Sequence, residues 1–327
     1  MNIAHRPVML AELRTSLVPP RADSLMVDCT LGEGGHAESF LGSHPSLRYI
    51  GIDADREIQD KARERLASFG SRMAFKLGWF DEVLASMAAE VAAGAQARPE
   101  LMLMDLGISM FHFTESGRGF SHARDEALDM RLSAEGTRTA ADIVNGLGEE
   151  ELANLIYEFG EERHSRRIAH GIALARRQAP ITTSSRLEEI VFSAMPGKLR
   201  HGHIHPATRT FQALRISVND ELGRAARGIA LAASLLAPGG RLAVITFHSL
   251  EDRIAKNIFR VLCNRGDRSS LPADILPIIV GMENVLKFQI LTKKPLEPSE
   301  SEVAGNAASR SAKLRVLERA RDAGVER

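Results

Sequence analysis

The stretch Val27-Asp28-Cys29-Thr30-Leu31-Gly32-Glu33-Gly34-Gly35-His36 carries the densest chemistry in the 327-residue chain. An apolar run leads straight into a turn with three glycines. Glycine reaches positive φ without a Cβ clash and lets a ligand lie against the main chain. The next apolar run ends in Gly51-Ile52-Asp53-Ala54-Asp55. An acidic side chain about 20 residues past such a turn can accept hydrogen bonds from both ribose hydroxyls of a nucleoside. The glycines alone read equally well as a tight strand-to-helix turn. With Asp53 in register, they point to an adenosine-containing ligand.

The spacing Gly-x-Gly-Gly-His departs from the Gly-x-Gly-x-x-Gly of dinucleotide sites, and Asp28 and Glu33 flank it. Carboxylates repel a pyrophosphate but suit a ligand that bears a sulfonium and an ammonium. That balance of charge favours S-adenosylmethionine over NAD. Phe80, in Gly78-Trp79-Phe80-Asp81, reads either as a ring against adenine or as core packing. Asp105 closes the apolar run Leu101–Asp105, at the carboxyl end of a strand, where open α/β sheets bind ligands. Gly107 keeps the main chain close behind it. In Phe247-His248-Ser249-Leu250-Glu251-Asp252, Ser249 and Asp252 have the spacing of a helix-start box, which leaves His248 as a site candidate.

These residues need a scaffold. Short apolar runs at Leu25–Cys29, Tyr49–Asp53, Met73–Leu77 and Leu101–Asp105 alternate with helical patterns such as Glu57–Leu66, which predicts a parallel, doubly wound sheet. The rhythm stops after Asp105. Residues 111–136 read as a loop, and helical patterns follow: one capped by Thr139, then Glu149–Phe159, Arg163–Gln178 and a fourth opened by Ser185 with Glu188. Strand–helix alternation resumes with a helix whose apolar face is Leu222, Ala226, Ile229, Ala233 and Leu236. Strands are expected at Leu242–Phe247 and, last, at Val285–Leu291. The architecture this predicts is one α/β core, residues 1–110 and 216–327, interrupted by a helical insert at 111–215.

Between Arg163 and Arg215, ten Lys or Arg residues meet only Glu188 and Glu189, although basic and acidic residues balance at 42 each over the chain. Helical spacing puts Arg163, Arg166, Arg167, His170 and Arg177 on one side, with Ile168, Ile172 and Ala175 on the other. A charged stripe is often only a solvated face. Its concentration in one segment of a neutral chain favours phosphate contacts. His201-Gly202-His203-Ile204-His205 lacks a Cys or carboxylate at a familiar ligand spacing, so no metal site is expected. With 44% hydrophobic and 26% charged residues, disordered and collagen-like chains are excluded. Two cysteines make no disulfide framework and suit a reducing cytosol. No apolar run approaches the roughly 18 residues of a membrane span, and no signal core is present at the N-terminus. A water-soluble, cytoplasmic protein is expected.

Longer motifs add to this: VDCTLGEGGH (27–36), RGFS (118–121), LDMR (128–131), TAADIVN (139–145), HPATRTFQALRI (205–216), VNDEL (218–222) and FHSLEDRI (247–254). From His5-Arg6-Pro7-Val8 to Ser311-Ala312-Lys313-Leu314-Arg315 the sequence resembles the bacterial ribosomal small-subunit methyltransferase H (MraW) family. That family methylates N4 of a decoding-centre cytosine in 16S rRNA with S-adenosylmethionine. The resemblance implies a class I (Rossmann-like) methyltransferase core with an all-helical, substrate-recognising insert. It implies cofactor contacts at Gly34, Gly35, His36, Asp53, Phe80 and Asp105, and at His112, where the family usually has Gln. The usual Asn-Pro-Arg near the end is Asn306-Ala307-Ala308, a peripheral change. The implied partner is 16S rRNA or the small ribosomal subunit, with no membrane; the oligomeric state stays open, a homodimer included.

Cytosine N4 is a poor nucleophile, so the reaction needs in-line placement and an acceptor for an amine hydrogen. Asp105, or a main-chain carbonyl just after it, is the expected acceptor. Residues 111–131 are expected to close over an unstacked base. Arg163, Arg166, Arg167, Arg177, Arg209 and His248 are the expected RNA contacts. Attack at C5 would instead need a thiolate, for which Cys29 and Cys263 are poorly placed. Two rivals stand beside this reading. An NAD-dependent oxidoreductase is opposed by the acidic glycine turn, and a non-catalytic RNA-binding protein by the intact site motifs.

Overall fold

The apolar runs of the first third form four parallel strands: β1 (Leu25–Asp28), β2 (Arg48–Asp53), β3 (Met73–Leu77) and β4 (Leu101–Asp105). Every residue of β1 is buried, and so are the first four of β4, as in sheets covered on both faces. Helices α1 (Leu10–Ser16), α2 (Gly35–Ser43), α3 (Arg56–Leu66) and α4 (Phe80–Ala92) lie among them in sequence. The computed structural model describes residues 7–202, 204–283 and 285–321. Two units emerge: Met1–Ile108 with Leu222–Arg327, and Ser109–Glu221.

The second unit consists of α5 (Met110–Thr114), α6 (Ala140–Gly146), α7 (Glu149–Gly160), α8 (Ser165–Arg176), α9 (Ser184–Ala194) and α10 (Thr208–Asn219). Among its described residues there is no strand, only a bridge between Ala127 and Thr183. Thr139 caps α6 in a reciprocal box with Asp142. Ser185 does not open α9. The cap is Thr183, which accepts from the Arg186 N–H, while the Ser185 hydroxyl donates to Asp125. Gly160 permits the crossing of α7 and α10: a Cβ there would stand 2.6 Å from the Arg209 carbonyl oxygen. Because α10 runs unbroken to Asn219, the division falls after Glu221 rather than after 215, and the earlier one falls after Ile108.

The chain returns to the first unit with α11 (Glu221–Leu235), β5 (Arg241–Thr246), α12 (Ser249–Leu262), β6 (Phe288–Ile290) and β7 (Lys313–Arg319). The sheet order is β3-β2-β1-β4-β5-β7-β6, with β7 antiparallel to both neighbours. The strand expected at Val285–Leu291 is shorter, and β7 escapes the apolar pattern because it carries arginines. Both are buried with partners. Arg315 is gripped by Asp252 at 2.7 and 3.0 Å, and Arg319 donates to the Leu236 carbonyl at 2.8 Å.

Side chains alternate between two apolar layers. Val27, Ile50, Met102 and Val244 pack with Leu84, Ala226, Ile229, Ala233 and Phe259, so the face expected on α11 is buried from Ala226 on, while Leu222 at its start is half-buried. Met26, Tyr49, Leu103 and Ile245 pack with Leu13, Phe40 and Leu66. Among the described residues no helix is long and apolar enough to cross a membrane.

Candidate active site

The glycine turn joins β1 to α2. Gly32 stands at φ +54° with open space where a Cβ would lie, so something can rest against the main chain there. Gly34 and Gly35 answer to the protein itself. Gly34 is at φ +80°, and its Cβ would meet the Leu66 side chain at 2.9 Å; that of Gly35 would meet Pro7 at 3.4 Å. The His36 ring is buried, with Nε2 3.1 Å from the Val8 carbonyl, and so ties α2 to the segment before α1.

Asp53 ends β2 beside this turn. Its Oδ2 accepts the Gly32 N–H and its Oδ1 the Asp55 N–H, both at 2.9 Å. Those bonds orient the carboxylate at the end of the strand. Phe80 opens α4, and its half-buried ring packs against Gly228 of α11, where a Cβ would stand 2.4 Å from it. Two ion pairs fasten that first turn, as Asp81 receives Arg224 at 2.7 Å and Arg227 at 2.9 Å. Phe80 is therefore a core residue with a partly exposed ring, rather than one or the other.

Asp105 ends β4, and its carboxyl is pushed up to about 7, mainly by burial, with Asp28 and Glu251 adding negative charge and the Gly107 N–H opposing. Asp28 does not flank the ligand space as its spacing suggests. It is 1% exposed, accepts the Tyr49 hydroxyl at 2.9 Å and the Thr30 N–H at 3.1 Å, and burial lifts it to about 7 as well. His248 is itself the cap of α12. Its Nδ1 accepts the Glu251 N–H at 3.4 Å and its Nε2 lies 3.0 Å from Glu251 Oε1, so the helix-start box is His248 with Glu251, one residue before Ser249 and Asp252. Asp252 pairs with Arg315 instead.

In the helical unit, His112 is buried in α5, its ring 5.0 Å from that of Phe120. The segment expected as an open loop is tied down. Met130 donates to the Arg118 carbonyl, Asp129 pairs with Arg131 at 2.7 Å, and buried Asn219 holds Met130 and Leu132, each at 2.8 Å. Arg163, Arg166, Arg167 and Arg177 are exposed, and no described residue pairs with them. The rest of the basic set is largely engaged: Arg176 donates to Val144, Arg200 to Met195 and Ser193, Arg209 to Glu161, and Arg215 to Glu221. Of the His201–His205 run, His203 lies outside the described residues. His205 stacks on His122 at 4.2 Å and sits 3.3 Å from Glu188.

The MraW methylase family model matches residues 2–320. The chain belongs to the MraW methylase family. Within it, the chain is 48% identical to the ribosomal RNA small subunit methyltransferase H of Treponema denticola over 317 residues, covering 97% of this chain and 98% of that one. The methyltransferase H of Symbiobacterium thermophilum is 45% identical over 318 residues, with 97% of each chain covered. That of Geobacter sulfurreducens is 44% identical over 323 residues, covering 98% of this chain and all of its own. This methylase also contains residues that spacing alone does not single out, namely Thr30, Tyr49 and Glu251. Tyr49 reads as one more apolar strand position until the register of β1 on β2 brings its hydroxyl to Asp28.

Proposed function

We propose that this protein transfers a methyl group from S-adenosylmethionine to the exocyclic N4 amine of a cytosine in the decoding region of 16S rRNA, in the cytoplasm. What carries the reading is the convergence of the open glycine turn, Asp53 and Asp105 at the carboxyl ends of β1, β2 and β4, in a chain of a methylase family. The relatives' names supply the rRNA of the small subunit as the substrate class.

The residues present suit the cofactor. Gly32 leaves room against the main chain, Asp53 sets an acceptor carboxylate beside it where ribose hydroxyls would lie, and the Phe80 ring offers an apolar face for adenine. Gly34, Gly35 and His36, which the family resemblance also assigns, support the glycine turn from behind through Leu66, Pro7 and Val8. When bound, the cofactor supplies an electrophilic methyl group on a positively charged sulfur. Asp105, poised near neutrality, accepts an amine hydrogen as N4 pyramidalises, and a nearby cation favours its ionised form. Burial pushes the Cys29 and Cys263 thiols up, so neither supplies the thiolate that attack through C6 demands.

The target base must leave its stack to be read. Arg163, Arg166, Arg167 and Arg177, exposed and uncommitted, are suited to flanking phosphates, whereas Arg209 would have to give up its bond to the Glu161 carbonyl, and His248 its capping bond from the Glu251 N–H, to join them. Mass-spectrometric mapping of 16S rRNA nucleosides from cells with and without the protein tests the assignment. N4-methylcytidine at one decoding-region position should vanish with the protein; its persistence would refute the proposal. Asp105→Ala should remove most turnover; near-wild-type rates with tight cofactor binding would rule the role out.

A further inference from the structure

Three residues with no binding role above, two of them buried and Thr30 half-buried, form a chain of hydrogen bonds that ends on the main chain of Asp105. The Asp105 N–H donates to Thr30 Oγ1 at 2.7 Å. The Thr30 N–H donates in turn to the Asp28 carboxylate at 3.1 Å. On its far side Asp28 accepts the Tyr49 hydroxyl at 2.9 Å, and Asp28 and Tyr49 are each 1% exposed. The chain crosses the neighbouring strands β2, β1 and β4.

Its placement has a physical reason. The parallel pairing of β1 with β4 stops at Asp28 and Leu103, followed by one bond from the Cys29 N–H to the Leu103 carbonyl. Two residues further on, the Asp105 N–H finds a side-chain oxygen where the ladder has ended. That oxygen belongs to Thr30, two residues before Gly32 at the entry of the glycine turn. One side chain thus couples the turn that would hold the methyl donor to the strand end that would hold the acceptor. A buried carboxylate is a costly way to fill a strand position that an apolar side chain could fill. Here it pins the Thr30 main chain by accepting its N–H, and so sets where the Thr30 hydroxyl stands beneath the Asp105 N–H.

We propose that Asp28 is a positioning residue for methyl transfer, acting through Thr30 on the main chain of Asp105, with Tyr49 holding its carboxylate from behind. This rests on the role of Asp105 proposed above. Displacement of a reacting group by about 1 Å can cost about 100-fold in rate with little effect on binding. The titratable groups facing Asp28 are Tyr49, Cys29, Asp53 and Asp105; those facing Asp105 are Asp28 and Glu251. Neutralising Asp28 therefore removes a negative neighbour from Asp105 and lowers the pH at which Asp105 ionises.

The test uses the full chain, S-adenosylmethionine and small ribosomal subunits. Thr30→Val should lower kcat by about 10- to 100-fold, with the cofactor Kd by calorimetry changed no more than about threefold, and Thr30→Ser should restore kcat. Asp28→Asn should move the acid limb of the kcat profile to lower pH. Wild-type kcat in Thr30→Val, failure of Thr30→Ser to rescue it, or an unmoved acid limb in Asp28→Asn would overturn the proposal. Two readouts need no substrate: faster hydrogen exchange at the Asp105 amide in Thr30→Val, and a lower Asp105 carboxyl titration by NMR in Asp28→Asn. If both stay at wild-type values the chain does no positioning, whatever the activity. A wild type that moves no methyl to rRNA would refute the proposed function alone, and these two readouts would still decide this inference. Should Asp28→Asn fail to fold, the two Thr30 variants decide it.

Discussion

Asp105→Asn keeps the shape of the side chain and removes its charge, which makes it a probe of what the candidate acceptor costs the fold. Burial and the neighbouring Asp28 and Glu251 raise this carboxyl from 3.8 to about 7. That is a difference of about three pH units, and at about 1.4 kcal/mol each the ceiling is about 4 kcal/mol. An acid whose pKa rises on folding binds its proton more tightly in the folded state. Its contribution is therefore complete below about pH 4 and is lost as pH climbs towards about 7. Asp105 is half-buried as a residue, Asp28 supplies part of the effect, and the Asn amide is itself desolvated. We expect about half the ceiling to be visible. Relative to wild type, the variant should gain about 1–2 kcal/mol in unfolding free energy between pH 5 and pH 8, and nothing further from pH 8 to pH 9. Urea unfolding followed by circular dichroism at those three values measures it. A stability difference independent of pH would show that Asp105 is not held near neutrality by its surroundings. The same variant should lose methyl transfer.

Gly228→Ala places a Cβ 2.4 Å from the Phe80 ring and 2.8 Å from the Met104 methyl, so the ring must move. We expect a loss of about 1–3 kcal/mol in stability and weaker S-adenosylmethionine binding by calorimetry; unchanged affinity would remove Phe80 from the site. Reversing Arg166, Arg167 and Arg177 to Glu should weaken rRNA binding, flatten its log–log salt dependence by about two to three and spare cofactor affinity. A filter-binding series over salt that matches wild type would count against the basic face. Asp252→Ala strands the buried Arg315 guanidinium and should cost about 3–5 kcal/mol in thermal or urea unfolding. A loss under about 1 kcal/mol would mean that Arg315 finds water or another partner.

The parallel half of the sheet is legible because β1, β2 and β4 are short, mostly apolar runs bounded by turn residues, so composition and length agree, and β3 at the edge keeps the spacing although it carries Lys76. What hid β7 is that Arg315 and Arg319 are buried against Asp252 and the Leu236 carbonyl, partners that adjacency in sequence cannot supply. The capping pattern places two helix starts one or two residues late, at Ser185 and Ser249 in place of Thr183 and His248, since neighbouring polar residues all satisfy it and only the backbone selects one. Asp53 and Asp105 could be picked out because strand ends are sequence features. Asp28 could not be read correctly, because whether a carboxylate at a strand end meets a ligand or a tyrosine depends on the register of the next strand. The basic stripe was legible as charge. Which arginines remain free depends on carbonyls and acids brought by folding, which leaves Arg163, Arg166, Arg167 and Arg177 and engages Arg209.

The sheet's two central neighbours, β4 and β5, are separated in the chain by the whole of Ser109–Glu221. At about 5–20 residues per second of synthesis, the hydrogen-bonding edge of β4 waits roughly ten seconds for its mate to emerge. That edge is the run Leu101-Met102-Leu103-Met104, a sticky template for any passing extended chain. A nascent polypeptide arranged this way has cause to engage a chaperone over just that interval. The helices coded in between can meanwhile condense by themselves, since their pairings are local.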